Sequence, residues 1–158
     1  MQYELIQLGA GAHALAIQIL GNVDDAADAV HDAFTAVLAR PDAYDARKGA
    51  LRPWFMRIVR NRCIDVLRRR RVHDEPDEVR DPGPGPDELL REAQRSERIR
   101  RALEQIAMDK REIIVLRDYL DLSYAEIADV LQVAPGTVMS RLHRARLALR
   151  EALESDGS

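Results

Sequence analysis

Three clusters of charged side chains have the types and spacing to act in binding or catalysis. In the first, Asp25, Asp28 and Asp32 recur at helical spacing, and His31 lies beside them. Three carboxylates on one side of a helix can bind a metal ion, serve in acid–base chemistry or dock against a basic protein. No second carboxylate-rich helix completes a metal shell and the other histidines are scattered. A docking surface or a solvated face is therefore favoured over a metal or catalytic site.

The second cluster is a basic stretch within residues 46–72. This stretch carries ten bases and one acid, a balance of +9, although the whole chain has a net charge of -3. It closes with four consecutive arginines, Arg68 to Arg71. Cations at a helix C-terminus gain tenths of a kcal/mol each from the helix dipole, but neighbouring cations repel one another. A bound polyanion, most simply a nucleic acid, would relieve that repulsion. The alternative explanations of the arginine cluster are a nuclear-localisation-like signal and a helix end that is basic only for solubility.

The third cluster is on the last predicted helix. Val138, Leu142, Ala145 and Leu149 recur at helical spacing and form its inward stripe. The opposite face carries Thr137, Ser140, Arg141 and Arg144, with Arg146 and Arg150 further along. A short helix at 124–131 and a three-residue turn precede it, which is the arrangement of a helix-turn-helix. The early residues of such a helix reach base edges in the DNA major groove, whereas on an isolated terminal helix the same arginines would only be solvated.

Helical periodicity predicts the elements that position these clusters. The first half reads as helices at about 3–20, 23–40 and 53–71, and the second half as helices at about 88–106, 110–120, 124–131 and 135–152. Gly21 can end the first helix and Asn22 can cap the second. Pro53 is expected at the first position of its helix. The pairs Asp109 with Glu112 and Ser123 with Glu126 both have capping-box spacing.

Composition divides the chain into two small domains. Residues 73–88 (HDEPDEVRDPGPGPDE) contain seven acids and four of the seven prolines, a composition that cannot bury enough apolar surface to fold. We therefore expect an all-α protein, with one domain at 1–72, an acidic Pro/Gly-rich linker at 73–88 and a second domain at 89–158. The first helix, GAGAHALAIQIL, loses about 1 kcal/mol of propensity per glycine, so it is expected to be loosely held or steadied by a partner.

Composition also excludes several classes of protein. Aromatic residues make up only 4%, which argues against a β-sandwich or barrel, and the single cysteine, Cys63, excludes an intramolecular disulfide. Cys63 lies on an apolar helix face and is interpreted as core rather than nucleophile. No apolar run is long enough to cross a bilayer and no secretion signal is recognised, so we expect a cytoplasmic protein without membrane insertion. No catalytic motif occurs, and we expect neither enzymatic activity nor a cofactor.

Three stretches together resemble the extracytoplasmic-function (ECF) group of the bacterial sigma-70 family. They are DDAADAVHDAF at 24–34, LRPWFMRIVRNRCIDVLRRRR at 51–71 and LSYAEIADVLQVAPGTVMSRLHRARLALREAL at 122–153. Their order is the family's order, and the resemblance covers about nine-tenths of the chain. It implies a sigma region 2-like three-helix domain and a sigma region 4-like helix-turn-helix domain. It also implies a promoter-recognition subunit that binds core RNA polymerase and promoter DNA. Members of this group are commonly silenced by an anti-sigma factor.

The resemblance assigns a role to each cluster. Core polymerase would be bound by Asp25, Asp28, His31 and Asp32. The −10 element would be melted and read by the loop at 44–51 and by Arg57, Arg60, Asn61, Arg68 and Arg69. The −35 duplex would be read by Thr137, Ser140, Arg141, Arg144 and Arg146. The linker would thread the active-site and RNA-exit channel of the polymerase.

The chain departs from the family pattern at several positions. His31 and Asp32 stand where the family usually has glutamine and glutamate, Met139 replaces a common lysine, and Ala107-Met108 replaces the customary Leu-Pro. Two other interpretations stay open. A free-standing helix-turn-helix regulator would bind duplex DNA tightly by itself, and an enzyme using the aspartate cluster would hold a stoichiometric divalent metal.

Overall fold

The computed structural model describes residues 1–73 and 90–157, and the regular elements within these ranges are helical. They are α1 Gln2–Gln7, α2 Gly9–Leu20, α3 Val23–Ala39, 3₁₀ turns at Pro41–Ala43 and Ala46–Lys48, α4 Leu51–His73, α5 Leu90–Glu104, α6 Met108–Ile114, a π-helical turn at Val115–Tyr119, α7 Tyr124–Leu131 and α8 Pro135–Gly157. The all-α prediction is confirmed. The predicted linker lies, apart from His73, outside the described residues.

Helix ends in the first half follow the capping signals of the sequence. Gly21 adopts the left-handed conformation with φ 72° and ends α2, because glycine enters this region without steric cost. The Asn22 side chain accepts a hydrogen bond from the Asp25 backbone N–H at 2.9 Å and caps α3. The helix predicted at 3–20 differs, since Leu8 separates it into α1 and α2.

Helix α4 begins two residues earlier than expected, at Leu51, so that Pro53 is its third residue rather than its first. Proline is tolerated there because the first-turn N–H groups have no partner within the helix. The segment before α4 is not a featureless loop. It contains both 3₁₀ turns, and the second of them is capped by the Asp45 carboxylate, which accepts a hydrogen bond from the Arg47 N–H at 3.0 Å.

In the second half, one predicted capping box is confirmed and the other is wrong. The Ser123 side chain and the Glu126 side chain each accept from the other's backbone N–H, as predicted for α7. Helix α6 instead begins after Ala107, which has no side chain that could cap it. Glu112 turns away from the helix end and is 2% exposed. It pairs with Arg60 of α4, an interaction that satisfies its charge better than a backbone N–H would.

The helix predicted at 110–120 is also interrupted. After α6, residues Val115–Tyr119 form a π-helical turn, and Asp121 then adopts a left-handed conformation with φ 57°. The Leu122 N–H donates to the carbonyl of Leu116 at 3.0 Å, which closes this turn. The consequence is that Leu120 points toward α2 instead of continuing the face of α6.

The described helices form two groups that pack against each other. In the first helical group (α1–α4), α2, α3 and α4 pack together; in the second helical group (α5–α8), α8 packs against α5, α6 and α7. Helix α2 also contacts α6 and the π-helical turn, and α4 contacts α7. Buried apolar side chains from both groups belong to one continuous cluster. Burial of such surface stabilises the structure by about 25 cal/mol per Å².

The glycine-rich helix α2 is steadied by the rest of its own chain. Its inner face buries Ala12, Leu15, Ala16, Ile19 and Leu20. A Cβ atom added at Gly11 would lie 2.7 Å from Cδ2 of Leu120 in the second helical group, closer than carbon atoms approach. The missing side chain of Gly11 therefore permits this contact between α2 and the second helical group.

Candidate nucleic-acid interface

Helices α7 and α8 form a closely packed helix-turn-helix. The turn between them places Gln132 in the left-handed conformation with φ 58°, and its backbone N–H donates to the Ala128 carbonyl. The predicted inward stripe of α8 is buried at Val138, Leu142 and Ala145, whereas Leu149 is partly exposed. Packing against buried α7 residues orients α8, so that the opposite face of α8 is directed outward.

The outward face of α8 presents polar side chains suited to DNA. Ser140, Arg141 and Arg144 are exposed, Thr137 is partly exposed, and the Ser140 hydroxyl donates to the Thr137 carbonyl at 3.1 Å. Neither Arg141 nor Arg144 forms an ion pair with any side chain in the part of the chain that the structure describes. Both guanidinium groups therefore have the donors that bidentate pairing with guanine requires.

Arg146 has a different environment from these two arginines. It lies on another side of α8, and its Nε donates to Oδ2 of Asp118 in the π-helical turn at 3.2 Å. The hydrogen bond to Asp118 raises the pKa of Arg146 above its ordinary value. The pair connects α8 to the π-helical turn, and a phosphate contact by Arg146 would have to compete with the Asp118 carboxylate.

Helix α4 separates its apolar residues from its basic residues. Phe55, Val59 and Cys63 are fully buried, whereas Asn61, Arg68 and Arg69 are exposed. The only described partner of these last three is Asp65, whose Oδ1 lies 3.6 Å from Nη1 of Arg68, one turn along the helix. Such an exposed pair is worth at most about 1 kcal/mol. Most of this cationic surface is therefore open to a polyanion.

Arg57 and Arg60, in contrast, face the second helical group. Arg60 donates from Nε to Oε2 of Glu112 at 2.8 Å and from Nη2 to Oε1 at 3.0 Å, a bidentate pair. Nη1 of Arg57 lies 3.5 Å from Oδ1 of Asp129. Sequence reasoning missed the Arg60–Glu112 pair. A signal was present, because Glu112 immediately precedes the apolar run Ile113-Ile114-Val115-Leu116, where a solvated carboxylate is unexpected.

The loop before α4 contains an ordered aromatic pair that the sequence did not single out. The rings of Tyr44 and Trp54 are tilted, with centroids 4.9 Å apart. The Tyr44 hydroxyl donates to the Gly49 carbonyl at 2.8 Å, which closes the loop onto itself. Trp54 lies in the first turn of α4, and an unstacked base could meet an aromatic ring there.

The acidic face of α3 is exposed at Asp28, His31 and Asp32. These side chains form no ion pair with any other side chain that the structure describes. Asp25 differs, because it pairs with Arg70 of α4, whose Nη1 also donates to the Leu20 carbonyl at 3.1 Å. Asp28, His31 and Asp32 therefore share one open surface. Asp25 instead helps, through Arg70, to fix α4 to the end of α2.

The buried thiol of Cys63 is predicted to be unreactive in the folded protein. Burial raises its pKa to about 12; the nearby Glu112 carboxylate adds to the rise and Arg60 opposes it. The native protein therefore holds far less Cys63 thiolate at pH 8 than an exposed cysteine would. We expect negligible alkylation by iodoacetamide at pH 8 in native protein and rapid alkylation in urea. Rapid labelling of the native protein would contradict this burial.

Among the residues described here, no three His, Cys, Asp or Glu side chains are grouped so that they could hold a metal ion. No described helix is both long and apolar enough to cross a membrane.

Comparison with known proteins agrees with this arrangement. The family description "Sigma-70 region 2" matches residues 7–72, and "Sigma-70, region 4" matches residues 96–149. The ECF RNA polymerase sigma factor SigM of Mycobacterium tuberculosis is 35% identical over 143 residues, which cover 89% of this chain and 70% of SigM. The chain belongs to the ECF group of sigma-70 family sigma factors.

Other sigma factors match over most of this chain. SigE of Mycolicibacterium smegmatis is 32% identical over 152 residues, which are 92% of this chain but only 58% of SigE. RNA polymerase sigma factor NccH of Alcaligenes xylosoxydans xylosoxydans is 31% identical over 161 residues, covering 96% of this chain and 86% of NccH.

Solved structures have the same fold. The sigma factor RpoE of Bartonella quintana, in complex with the anti-sigma factor NepR, superposes with a TM-score of 0.77 at 28% identity, covering 98% of this chain and 97% of that one. CnrH, in complex with the cytosolic domain of CnrY, gives a TM-score of 0.69 at 24% identity. The region 2 match at 7–72 spans α2–α4, and the region 4 match at 96–149 begins within α5 and ends within α8.

Proposed function

We propose that this sigma factor binds core RNA polymerase and directs it to promoters by reading −10 and −35 elements. The observation that carries the proposal is the presence of three separate faces on one chain: the acidic face of α3, the basic side of α4 and the outward face of α8. A free-standing regulator needs only the last of these. The protein acts by binding and not by bond chemistry, in the cytoplasm, where polymerase and DNA are found.

Each face has a distinct role in this proposal. Asp28, His31 and Asp32 dock on a basic surface of the core enzyme, while Asp25 contributes by fixing α3 to α4 through Arg70. On α4, Arg57, Arg60, Asn61, Arg68 and Arg69 meet the −10 non-template strand. The Tyr44–Trp54 pair is available to stack against an extruded base, whose unstacking costs a few kcal/mol.

The outward face of α8 reads the −35 duplex. Arg141 and Arg144 contact base edges, Thr137 and Ser140 support them, and Arg146 approaches phosphate from its pair with Asp118. Residues 1–72 and 89–158 act as the two DNA-reading domains, and residues 73–88 tether them. Once one domain has bound its DNA element, the tether raises the effective concentration of the other domain at its own element. Neither domain therefore has to bind DNA tightly by itself.

An anti-sigma factor is the regulatory partner that we propose. The proposal rests on RpoE and CnrH, whose structures were solved as complexes with NepR and CnrY. The exposed acidic face of α3 and the exposed apolar side chains Val23 and Leu38 at its two ends, 65% and 47% exposed, offer a surface for a protein partner.

Transcription in vitro tests the function directly. Core enzyme and a promoter library are incubated with and without this chain, and the transcripts are sequenced at their 5′ ends. We expect new start sites downstream of shared −10 and −35 sequences only when the chain is present. Unchanged start sites, or a stoichiometric divalent metal with enzymatic turnover, would contradict the proposal.

Replacing Arg141 by alanine is expected to cost about 1–3 kcal/mol of binding at the −35 element and to relax base preference there, because a bidentate base contact is lost. Binding of fluorescent −35 duplexes with single-base changes measures both effects. Arg150, which is exposed further along α8, provides a matched control in Arg150→Ala. An equal loss on every duplex sequence would assign Arg141 to phosphate instead.

A further inference from the structure

Met139 is an exposed apolar side chain within the first two turns of α8. It is 60% exposed, whereas Val138, which precedes it, is fully buried. The N-terminal turns of a recognition helix are the part that reaches base edges in the major groove. Met139 therefore stands among the residues proposed to read the −35 element, although it has neither a charge nor a hydrogen-bond donor.

Ser140 divides the outward face of α8 into two sides. Neighbouring residues lie about 100° apart around a helix with about 3.6 residues per turn, so Met139 and Arg141 flank Ser140 on opposite sides. Arg144, four residues after Ser140, falls on the Arg141 side. Within the first three turns of α8, residues 135–145, both arginines are therefore on one side of Ser140 and Met139 is on the other.

Open space adjoins Met139 on its own side of α8. Gly136 lies one turn before Met139, and a Cβ atom added to Gly136 would meet nothing within 4 Å apart from its neighbours in the helix. His143 lies one turn after Met139 and is exposed as well. Because glycine lets another molecule approach the backbone closely, a base edge can come within reach of the Met139 side chain.

A thioether side chain distinguishes bases in a different way from a guanidinium group. Phosphates and the polar edges of bases bind charged groups and hydrogen-bond donors, so Met139 gains little from them. It gains by burying apolar surface, and the apolar group that a base pair presents in the major groove is the C5-methyl of thymine. The side chain is unbranched and flexible, so it can adapt to the position of that methyl group.

We propose that Met139 is a specificity-determining residue of the −35 contact and that it reads the C5-methyl group of a thymine. The inference rests on the proposed function of α8 and adds a second kind of base contact to it. Arg141 and Arg144 select guanine on one side of Ser140, while Met139 selects thymine on the other. The −35 element is therefore expected to combine a G·C pair with a nearby A·T pair whose methyl group contributes to binding.

Replacing thymine by deoxyuridine tests the contact, because it removes only the methyl group. We would take the −35 duplex of a promoter that is active in the transcription library and replace each thymine of both strands in turn. Binding of the full chain is measured by fluorescence anisotropy. We expect at least one replacement to weaken binding by about three- to fivefold, the effect of leaving one methyl group unburied.

Variants of Met139 assign the methyl contact to this side chain. Met139→Ala and Met139→Gln should each bind the thymine duplex at least about threefold more weakly and should no longer distinguish thymine from deoxyuridine at that position. Glutamine keeps the length of the side chain but not its apolar end, so it separates apolar contact from shape. Leu147→Ala is the matched control, since Leu147 is also apolar and 40% exposed on α8 but lies about 12 Å further along the helix. It should keep the full difference.

The outcomes separate this inference from the proposed function. If the original protein prefers the −35 duplex to a scrambled one but binds every deoxyuridine duplex as tightly as the thymine duplex, the methyl contact does not exist. A difference between thymine and deoxyuridine that persists in Met139→Ala would assign the methyl contact to another residue and overturn the inference. Equal binding of the −35 and scrambled duplexes by the original protein would instead contradict −35 reading by α8, and the inference with it.

Discussion

Asp28→Lys is expected to weaken association of this sigma factor with core RNA polymerase by about 2–5 kcal/mol. The proposed docking surface loses a carboxylate and gains a cation that repels a basic partner. Because Asp28 is exposed and lies beyond the first turn of α3, the fold and its thermal stability should change little. Affinity for labelled core enzyme, measured by fluorescence titration, provides the readout.

Glu4→Lys is the matched control, since Glu4 is also exposed but lies on α1, outside the acidic face of α3. It makes the same change in net charge and should bind core enzyme like the original protein. If Asp28→Lys bound core as tightly as this control, the assignment of α3 to polymerase docking would be wrong.

Phe55→Ala is expected to lower the free energy of unfolding by about 3–5 kcal/mol. Phe55 is fully buried on α4, and its ring lies 4.9 Å from that of Phe34 on α3, centroid to centroid. Removing the ring leaves a cavity between the two helices that carry the acidic and basic faces. Urea denaturation followed by circular dichroism measures the loss.

Two further variants show whether the loss comes from the cavity. Phe55→Leu retains most of the buried volume and should cost clearly less, while Tyr3→Ala removes an aromatic ring that is 73% exposed and should cost about 0.5 kcal/mol or less. A loss for Phe55→Ala no greater than that for Tyr3→Ala would mean that the α3–α4 contact contributes little to stability.

Local sequence signals predicted most helix ends correctly. Gly21, Asn22 and the Ser123–Glu126 capping box act within three or four residues of the backbone groups that they satisfy. Such interactions need no distant partner, so the residue types reveal them. The same holds for the outward face of α8, because helical spacing alone places Ser140, Arg141 and Arg144 opposite the buried stripe.

The Asp109–Glu112 pair shows where this reasoning fails. Its spacing is that of a capping box, yet Glu112 pairs with Arg60, 52 residues away in the sequence. The partly buried guanidinium of Arg60 offers the carboxylate two charge-assisted hydrogen bonds, whereas a capping box offers one backbone N–H. The long-range partner prevails, and no local pattern identifies it.

By itself, the sequence determined the helical class, the acidic, basic and outward-facing surfaces and the family to which the chain belongs, because helical spacing and charge are properties of neighbouring residues. Only the tertiary structure decided that Arg57 and Arg60 pair with acidic residues of the second helical group, that Asp25 and Arg146 are paired within the chain, and that Gly11 accommodates Leu120. These pairings and contacts join residues that are distant in the sequence. They depend on complementary charge and shape between the helices that meet, which no local pattern reveals.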